Sequence, residues 1–196
     1  MLRRELSNGY ALRLLEESDA DELIALIDAN RAHLERWMPW VEHEHEPADV
    51  LPFIRATRRQ IADNDGLQTA IVDPGGRIVG VIGVHNVDWL NRKTTIGYWL
   101  SAGEQGRGTM TEAVRAYVDH AFTTWKLNRV MVQAAVENTR SRAIPERLGF
   151  REEGILREVE RIGDRMLDDV VYAMLAADWP GAPVPAERRS SPLLRG

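Results

Sequence analysis

Three glycines lie close together in the middle of the chain, between an apolar run and a helical pattern. Gly103, Gly106 and Gly108 follow the run that ends at Leu100, and apolar residues recur at helical spacing from Val114. A glycine-rich turn at a helix start leaves several backbone N–H groups without helical partners, at the positive end of the helix dipole. Such groups bind anions, phosphates above all. The stretch indicates either a phosphate-binding loop or a plain strand-to-helix turn in which glycine supplies positive φ.

Two well-known phosphate loops do not match this stretch. A Walker A loop requires Lys and then Ser or Thr after its second glycine, whereas Gly108 is followed by Thr109 and Met110. The dinucleotide-binding fingerprint requires a third glycine where this chain has Thr111. A phosphate loop here would therefore be of another class.

A second group of polar residues follows the apolar strand predicted over residues 129–136. Asn138 and Ser141 stand at the start of a short helical pattern that closes at Gly149 and Phe150. Taken alone, Asn138 is typical of a helix N-cap, and Ser141 is typical of a polar residue in the first turn. Pro145, inside the same pattern, removes the hydrogen bond that the carbonyl of Ser141 would otherwise accept.

Length and composition limit the classes of protein that this chain can be. Its 196 residues, 44% apolar and 28% charged, suit one globular domain. The absence of cysteine excludes disulfides, thiolate catalysis and Cys-ligated zinc. No apolar run approaches the roughly 18 residues of a membrane span, and no basic block precedes the final residues, so we expect neither a membrane nor a nucleic-acid partner. The N-terminus has no apolar signal core, which makes the cytoplasm the expected compartment.

Large aromatic and ionisable side chains precede the glycine turn. Trp37 and Trp40 surround a proline and indicate either a corner of the core or the wall of a substrate cleft. His43 and His45 alternate with glutamates and could ligate a metal, but a third ligand at a recognisable spacing is missing. We therefore predict a solvated loop there and no metal site. The net charge of −5 would suit a cationic substrate such as an amine.

The periodicity of apolar residues predicts the element order β-α-α-β-β-β-α-β-α-β-β. Residues from about 180 onward are rich in Pro, Ser and Arg without periodicity. We therefore predict one domain over residues 1–179 and a flexible C-terminal tail over residues 180–196. The predicted strands cover residues 10–15, 67–72, 78–85, 94–100, 129–136, 150–156 and 167–174.

Two motifs together carry a resemblance to a known family. Gln105-Gly106-Arg107-Gly108-Thr109-Met110 resembles the Gln/Arg-x-x-Gly-x-Gly/Ala loop of the GCN5-related N-acetyltransferases (GNAT), with Met110 in place of the usual small residue. Asn138-Thr139-Arg140-Ser141, closed by Gly149-Phe150, and Gly97-Tyr98-Trp99-Leu100 are most similar to the branch that acetylates ribosomal-protein N-termini at serine or alanine. The resemblance covers most of residues 9–179. It implies an α/β fold with a mixed sheet of about seven strands, flanked by helices and splayed between the fourth and fifth strands.

The resemblance implies an acetyl-coenzyme A-dependent N-acetyltransferase that needs no metal. A primary amine would attack the thioester directly, through a tetrahedral intermediate. A protein N-terminal α-amine is the favoured acceptor, because its pKa of about 8 lies well below the value of about 10.4 for a lysine amine. An aminoglycoside or polyamine acceptor and a non-catalytic acyl-coenzyme A sensor remain as alternatives. A monomer and a homodimer are both open.

The resemblance also implies roles for individual residues. Asn138 would contact the pantetheine arm, and backbone N–H groups near Trp99 and Leu100 would polarise the carbonyl. Ser141 would protonate the leaving thiolate. The pyrophosphate would be bound by the loop residues Gln105, Gly106, Arg107, Gly108, Thr109 and Met110.

The acceptor side offers two candidates for a general base. Glu160 lies in the terminal hairpin, and His85 ends a strand beside the expected cleft. Asp168 and Asp169 would hold a substrate ammonium or pin the hairpin. Contacts to the acceptor are expected from Trp37, Trp40 and Asp168.

Overall fold

The structure is a computed structural model that describes residues 3–180. Within that range, eight strands form one mixed sheet in the order β1-β2-β3-β4-β5-β6-β8-β7. The strands are β1 (Arg3–Glu5), β2 (Ala11–Arg13), β3 (Leu67–Val72), β4 (Ile78–Asp88), β5 (Lys93–Leu100), β6 (Arg129–Ala135), β7 (Arg151–Ile162) and β8 (Arg165–Leu175). The flanking helices are α1 (Ala20–Leu34), α2 (Pro47–Ala62), α3 (Thr109–Thr123) and α4 (Thr139–Arg147).

The predicted element order is confirmed, with one strand more than expected. β1 is only three residues long and pairs with β2, and its charged sequence carries no apolar alternation. Arg4 ties it to the rest of the domain by donating to the carbonyl of Ala116 in α3 at 2.8 Å. The predicted last strands are also longer in the structure, because β7 extends to Ile162 through exposed residues. The predicted tail lies outside the described residues, apart from Pro180.

Two apolar layers cover the two faces of the sheet. The larger core holds the buried face of α3, including Tyr117 and Phe122, against the central strands. The smaller core packs α1 and α2 against the other face, around Ile27 and Ile54. Of the helices in residues 3–180, none is long and apolar enough to cross a membrane.

The two parallel strands β5 and β6 pair over only part of their length. The ladder joins Lys93–Ile96 to Arg129–Val132 and then stops. Beyond it, residues 97–100 and 133–135 continue as strands without pairing to each other. This confirms the predicted splay between the two strands, which are fifth and sixth here because of β1. The starts of α3 and α4 follow closely on these parted ends.

Candidate active site

A cleft of about 1330 Å³ opens where β5 and β6 part. Its walls come from the end of α1, the end of β5, the glycine loop and the first turns of α3 and α4. The structure therefore brings together segments that are more than 100 residues apart in the chain. Eleven of the residues predicted from the sequence line it: Trp37, Trp99, Leu100, Gln105, Gly106, Arg107, Gly108, Thr109, Met110, Asn138 and Ser141.

The glycine loop presents a row of free backbone N–H groups to this cleft. None of the N–H groups of residues 106–111 finds a hydrogen-bond acceptor among residues 3–180. Gly106 and Gly108 have φ values of +78° and +77°, which residues other than glycine rarely adopt. A Cβ atom at either position would meet nothing within 4 Å. The loop thus faces open space with its donors unpaired, as a phosphate site requires.

Arginines outnumber acidic side chains around the same cleft. Positive charge of this kind stabilises bound phosphates by direct attraction and by charge-assisted hydrogen bonds. Arg147 is fixed there by donating to the hydroxyl of Thr111 at 3.0 Å. The lining arginines are Arg36, Arg107, Arg115, Arg140 and Arg147, against Glu104, Glu112 and Glu137.

Gln105 connects two walls of the cleft through its side-chain amide. Its Nε2 lies 2.7 Å from Nε2 of His33 at the end of α1, and its Oε1 accepts from Arg140 in α4. Burial lowers the pKa of His33, and the charge of Arg140 lowers it further. The lowered pKa favours the neutral ring, whose Nε2 can accept the amide proton of Gln105. His33 was missed from the sequence, because nothing in its helical pattern distinguishes it and its partner lies 72 residues away.

Met110 departs from the family pattern without intruding on the cleft. Its side chain is 6% exposed and belongs to the larger core, on the buried face of α3. The neighbouring Thr109 is also buried, and its hydroxyl accepts from the amide of Asn8 at 3.1 Å. The backbone at these positions stays available to a ligand because the side chains face the interior.

The start of α4 is organised by three hydrogen bonds. Asn138 caps the helix, its Oδ1 accepting from the N–H of Ser141 at 3.2 Å. The hydroxyl of Ser141 donates to Tyr98 Oη at 3.3 Å, and Tyr98 Oη donates to the carbonyl of Ser141 at 3.1 Å. Burial raises the pKa of Tyr98 to about 12, so the phenol keeps its proton. Pro145, which has no N–H, explains why that carbonyl is free to accept from Tyr98.

The remaining predicted site residues lie outside the cleft lining. Trp40 packs against Trp99 with ring centroids 5.9 Å apart, at the edge of the smaller core. His85 is half-buried on β4, opposite Thr95, and burial lowers its pKa. Glu160 and Asp168 lie on the β7–β8 hairpin. Burial raises the pKa of Glu160, and the charge of Asp169 raises it further.

The alternating Glu and His segment forms no metal site in the described part of the chain. No group of three or more His, Cys, Asp or Glu side chains within residues 3–180 could hold a metal ion. His45 instead contacts the carbonyl of Glu42 at 2.7 Å on the protein surface.

The parted parallel strands and the cleft between them define an acetyltransferase of the GNAT class. A profile described as "Acetyltransferase (GNAT) domain" matches residues 10–151, and the chain belongs to this family. It is therefore an N-acetyltransferase, as the resemblance implied.

The chain is similar in sequence and structure to proteins named as acetyltransferases of ribosomal proteins. It is 38% identical over 183 residues to YdaF of Bacillus subtilis (strain 168), provisionally named a ribosomal N-acetyltransferase, covering 92% of this chain and 99% of that protein. It is 26% identical over 177 residues to the ribosomal-protein-serine acetyltransferase of Escherichia coli (strain K12), covering 87% and 95%. The structure of Mycobacterium smegmatis RimJ in complex with CoA-disulfide superposes with a TM-score of 0.83 at 29% identity, covering 91% of this chain and 88% of that one. The expected branch is confirmed.

Proposed function

We propose that this chain transfers the acetyl group of acetyl-coenzyme A to the α-amino group of a protein N-terminus. The observation that carries the proposal is the row of unpaired N–H groups at residues 106–111, placed beside the parted ends of β5 and β6. A diphosphate bound to that row would direct the attached arm along the gap between the strands. The names of the relatives supply the acceptor class.

The residues of the cleft fit acetyl-coenzyme A. The glycine loop and its arginines would bind the phosphates, and Asn138 keeps its side-chain N–H₂ group available for the amides of the pantetheine arm, since only its Oδ1 is used in the helix cap. Beyond Ile96, the edge of β5 that faces β6 has no partner strand, so its backbone groups can bond the arm and polarise the carbonyl. The thioester supplies an activated acetyl group with a thiolate leaving group.

Ser141 is our candidate for the general acid that protonates the leaving sulfur. It lies in the first turn of α4, on the cleft wall, and Tyr98 holds its hydroxyl and its carbonyl. Once the Tyr98 hydroxyl shifts its hydrogen bonds, the Ser141 proton can be given to the sulfur and recovered from solvent. General acid catalysis of this kind contributes about 10²–10⁴-fold.

Of the two candidate bases we favour Glu160. Its raised pKa brings the carboxylate nearer to the pKa of an amine, which makes proton transfer easier. His85, with a lowered pKa and a half-buried ring on β4, remains a second candidate. A weak base is enough for an α-amine, because about a tenth of it is already neutral near pH 7.

A panel of acceptors tests this proposal. Purified protein is incubated with acetyl-coenzyme A and peptides that start with Ser or Ala, the same peptides with a blocked N-terminus, and spermidine. We expect mass spectrometry to show one added acetyl group on the free N-terminus alone. A faster reaction with spermidine would move the acceptor to the polyamine class. Binding of acetyl-coenzyme A without turnover of any amine would support a sensor instead.

A further inference from the structure

The side chain of Asp169 is a buried carboxyl group that lacks a hydrogen-bond partner. Asp169 is 7% exposed, and its Oδ1 atom is sealed from solvent with no partner among residues 3–180. Burying a carboxyl group without a hydrogen bond is costly, so such a group indicates a ligand that completes it. Asp169 pairs with Ala135, the last residue of β6, beside the gap between the parted strands, where the proposed function requires a cation to bind.

A bulge in β7 brings Glu160 next to Asp169. Leu156 pairs with Asp169, but the next pair is Glu160 with Leu167, so β7 has two more residues than β8 between these pairs. In an uninterrupted ladder, Glu160 would face Arg165. The bulge places Glu160 diagonally across from Asp169 on the same face of the hairpin, within the range at which cross-strand side chains interact.

Asp168 holds this bulge in place. Its Oδ1 accepts from the N–H of Glu158 at 2.7 Å, and Glu158 has a positive φ of 50°, which is uncommon for a residue other than glycine. The hydrogen bond therefore stabilises a strained turn of the bulge. Asp168 stays a predicted substrate contact, and one of its oxygens is engaged in fixing the hairpin.

The hairpin lies between the parted strands and the end of α1. Asp169 is opposite Ala135, the last residue of β6. Ala135 lies three residues before Asn138 in the chain. At the other end of the hairpin, Arg165 donates to the carbonyl of Arg36 at 3.4 Å, next to Trp37 in the cleft wall. The hairpin that carries the two carboxyl groups therefore extends from the parted end of β6 to the end of α1 beside the cleft wall.

We propose that Asp169, together with Glu160, binds the ammonium group of the acceptor. This contact makes Asp169 a specificity-determining residue. This inference rests on the proposed function. A primary ammonium has three N–H donors, enough to bond both carboxylates at once, whereas a blocked amine lacks the charge. Glu160 takes one proton, the nitrogen lone pair forms the C–N bond, and the C–S bond breaks with its electrons on sulfur. The ammonium loses two protons to solvent, the first through Glu160 and the second after the C–N bond forms, while Ser141 gives its proton to sulfur and recovers one from solvent.

Calorimetric titration measures this binding without requiring turnover. A Ser-starting peptide with a free N-terminus, and the same peptide with an acetylated N-terminus, are titrated into protein saturated with coenzyme A. The variants are Asp169→Asn and, as a matched control, Asp164→Asn, which removes a fully exposed carboxylate from the hairpin turn. Glu160→Gln provides a second measurement if Asp169→Asn does not fold.

We expect Asp169→Asn to weaken the free peptide about 10–100-fold, the range of a charge-assisted hydrogen bond. Asp164→Asn should leave the affinity unchanged, and neither variant should alter coenzyme A binding. An unchanged affinity in Asp169→Asn, or a wild type that does not distinguish free from blocked peptide, would overturn the inference. Wild-type binding of the free peptide without acetylation would contradict the proposed function alone.

Discussion

The hydroxyl of Tyr98 donates to the carbonyl of Ser141 at 3.1 Å, and this carbonyl is the one that Pro145 deprives of its helical partner. The strand β5 thereby supplies a hydrogen bond that helix α4 cannot make for itself. The same phenol accepts from the hydroxyl of Ser141 at 3.3 Å. One tyrosine therefore fixes both the backbone and the side chain of the residue proposed as the general acid.

Replacement of Tyr98 by Phe should destabilise the protein through this carbonyl. An orphaned buried acceptor costs about 1–3 kcal/mol, and 1 kcal/mol corresponds to about 2–4 °C in Tm for a chain of this size. Pro145→Ala restores the N–H that the carbonyl lacks, so Tyr98→Phe should cost less in that background. Thermal unfolding of the two single variants and the double variant measures the coupling. Strict additivity would show that the two residues do not share the Ser141 carbonyl.

Ser141→Ala should lower kcat without lowering the affinity for acetyl-coenzyme A. The expected loss is at least about 100-fold if the hydroxyl acts as a general acid. Thr139→Ala removes a hydroxyl from the same helical turn and should leave kcat near the wild-type value. Steady-state rates, with calorimetry for the affinity, make the comparison. Equal rates in wild type and Ser141→Ala would assign the protonation of sulfur to another group.

The pH profile of kcat/KM should show an acid limb above the ordinary range of glutamate. Burial and the charge of Asp169 raise the pKa of Glu160, so the basic carboxylate form is lost as the pH falls through that raised value. Asp169→Asn removes the charge that contributes to the raised pKa of Glu160, so the acid limb of the profile should shift to lower pH. Initial rates across the pH range, with Asp164→Asn as the control, measure the shift. A limb that stays in place in Asp169→Asn would contradict the pairing of the two carboxyl groups.

The carboxyl groups of Glu160 and Asp169 also make the free energy of unfolding depend on pH. Burial also raises the pKa of Asp169, so both carboxyl groups bind protons more tightly in the folded than in the unfolded chain. Their contribution to the free energy of unfolding is therefore fully present below the unfolded pKa values of about 4 and is lost as the pH rises through the raised folded values. Asp169→Asn should remove part of this loss, so its Tm should exceed that of the wild type at neutral pH and approach it in acid.

Gly108→Val should weaken acetyl-coenzyme A binding by about tenfold or more. Gly108 has a φ of +77° and stands at the N-cap of α3, so a branched side chain would both strain the loop and occupy the space in front of its N–H groups. Gly163→Val is the matched control, because Gly163 also has a positive φ, of 58°, but lies at the distal hairpin turn. Calorimetry should show a loss for Gly108→Val alone. Equal losses in both variants would indicate general destabilisation rather than a phosphate site.

The sequence predicted the parts of the fold and site that depend on local patterns. The apolar spacing of α3, the apolar runs of β3 and β4 and the glycine loop are all encoded within short windows, and the structure contains them. The splay of β5 from β6 followed from the family resemblance rather than from any property of the two strands themselves.

What the sequence did not predict depends on contacts between distant segments. His33 contacts Gln105 across 72 residues, and Tyr98 reaches Ser141 across 43. The strand β1 forms because Arg4 and its neighbours find partners in β2 and α3, not because its own sequence favours a strand. The bulge that brings Glu160 to Asp169 has no local signal either, since Glu158 adopts a positive φ that its residue type does not favour.

The affinity difference between coenzyme A and pantetheine measures what the phosphate-bearing part of the ligand contributes to binding. Pantetheine retains the thiol arm but lacks both the diphosphate and the adenosine 3′-phosphate joined to it. We expect the wild type to bind coenzyme A at least about 100-fold more tightly, through charge-assisted hydrogen bonds to residues 106–111 and the nearby arginines. The difference should shrink in Gly108→Val. Comparable affinities for the two ligands in the wild type would contradict the claim that these N–H groups bind the diphosphate and direct the arm between the parted strands.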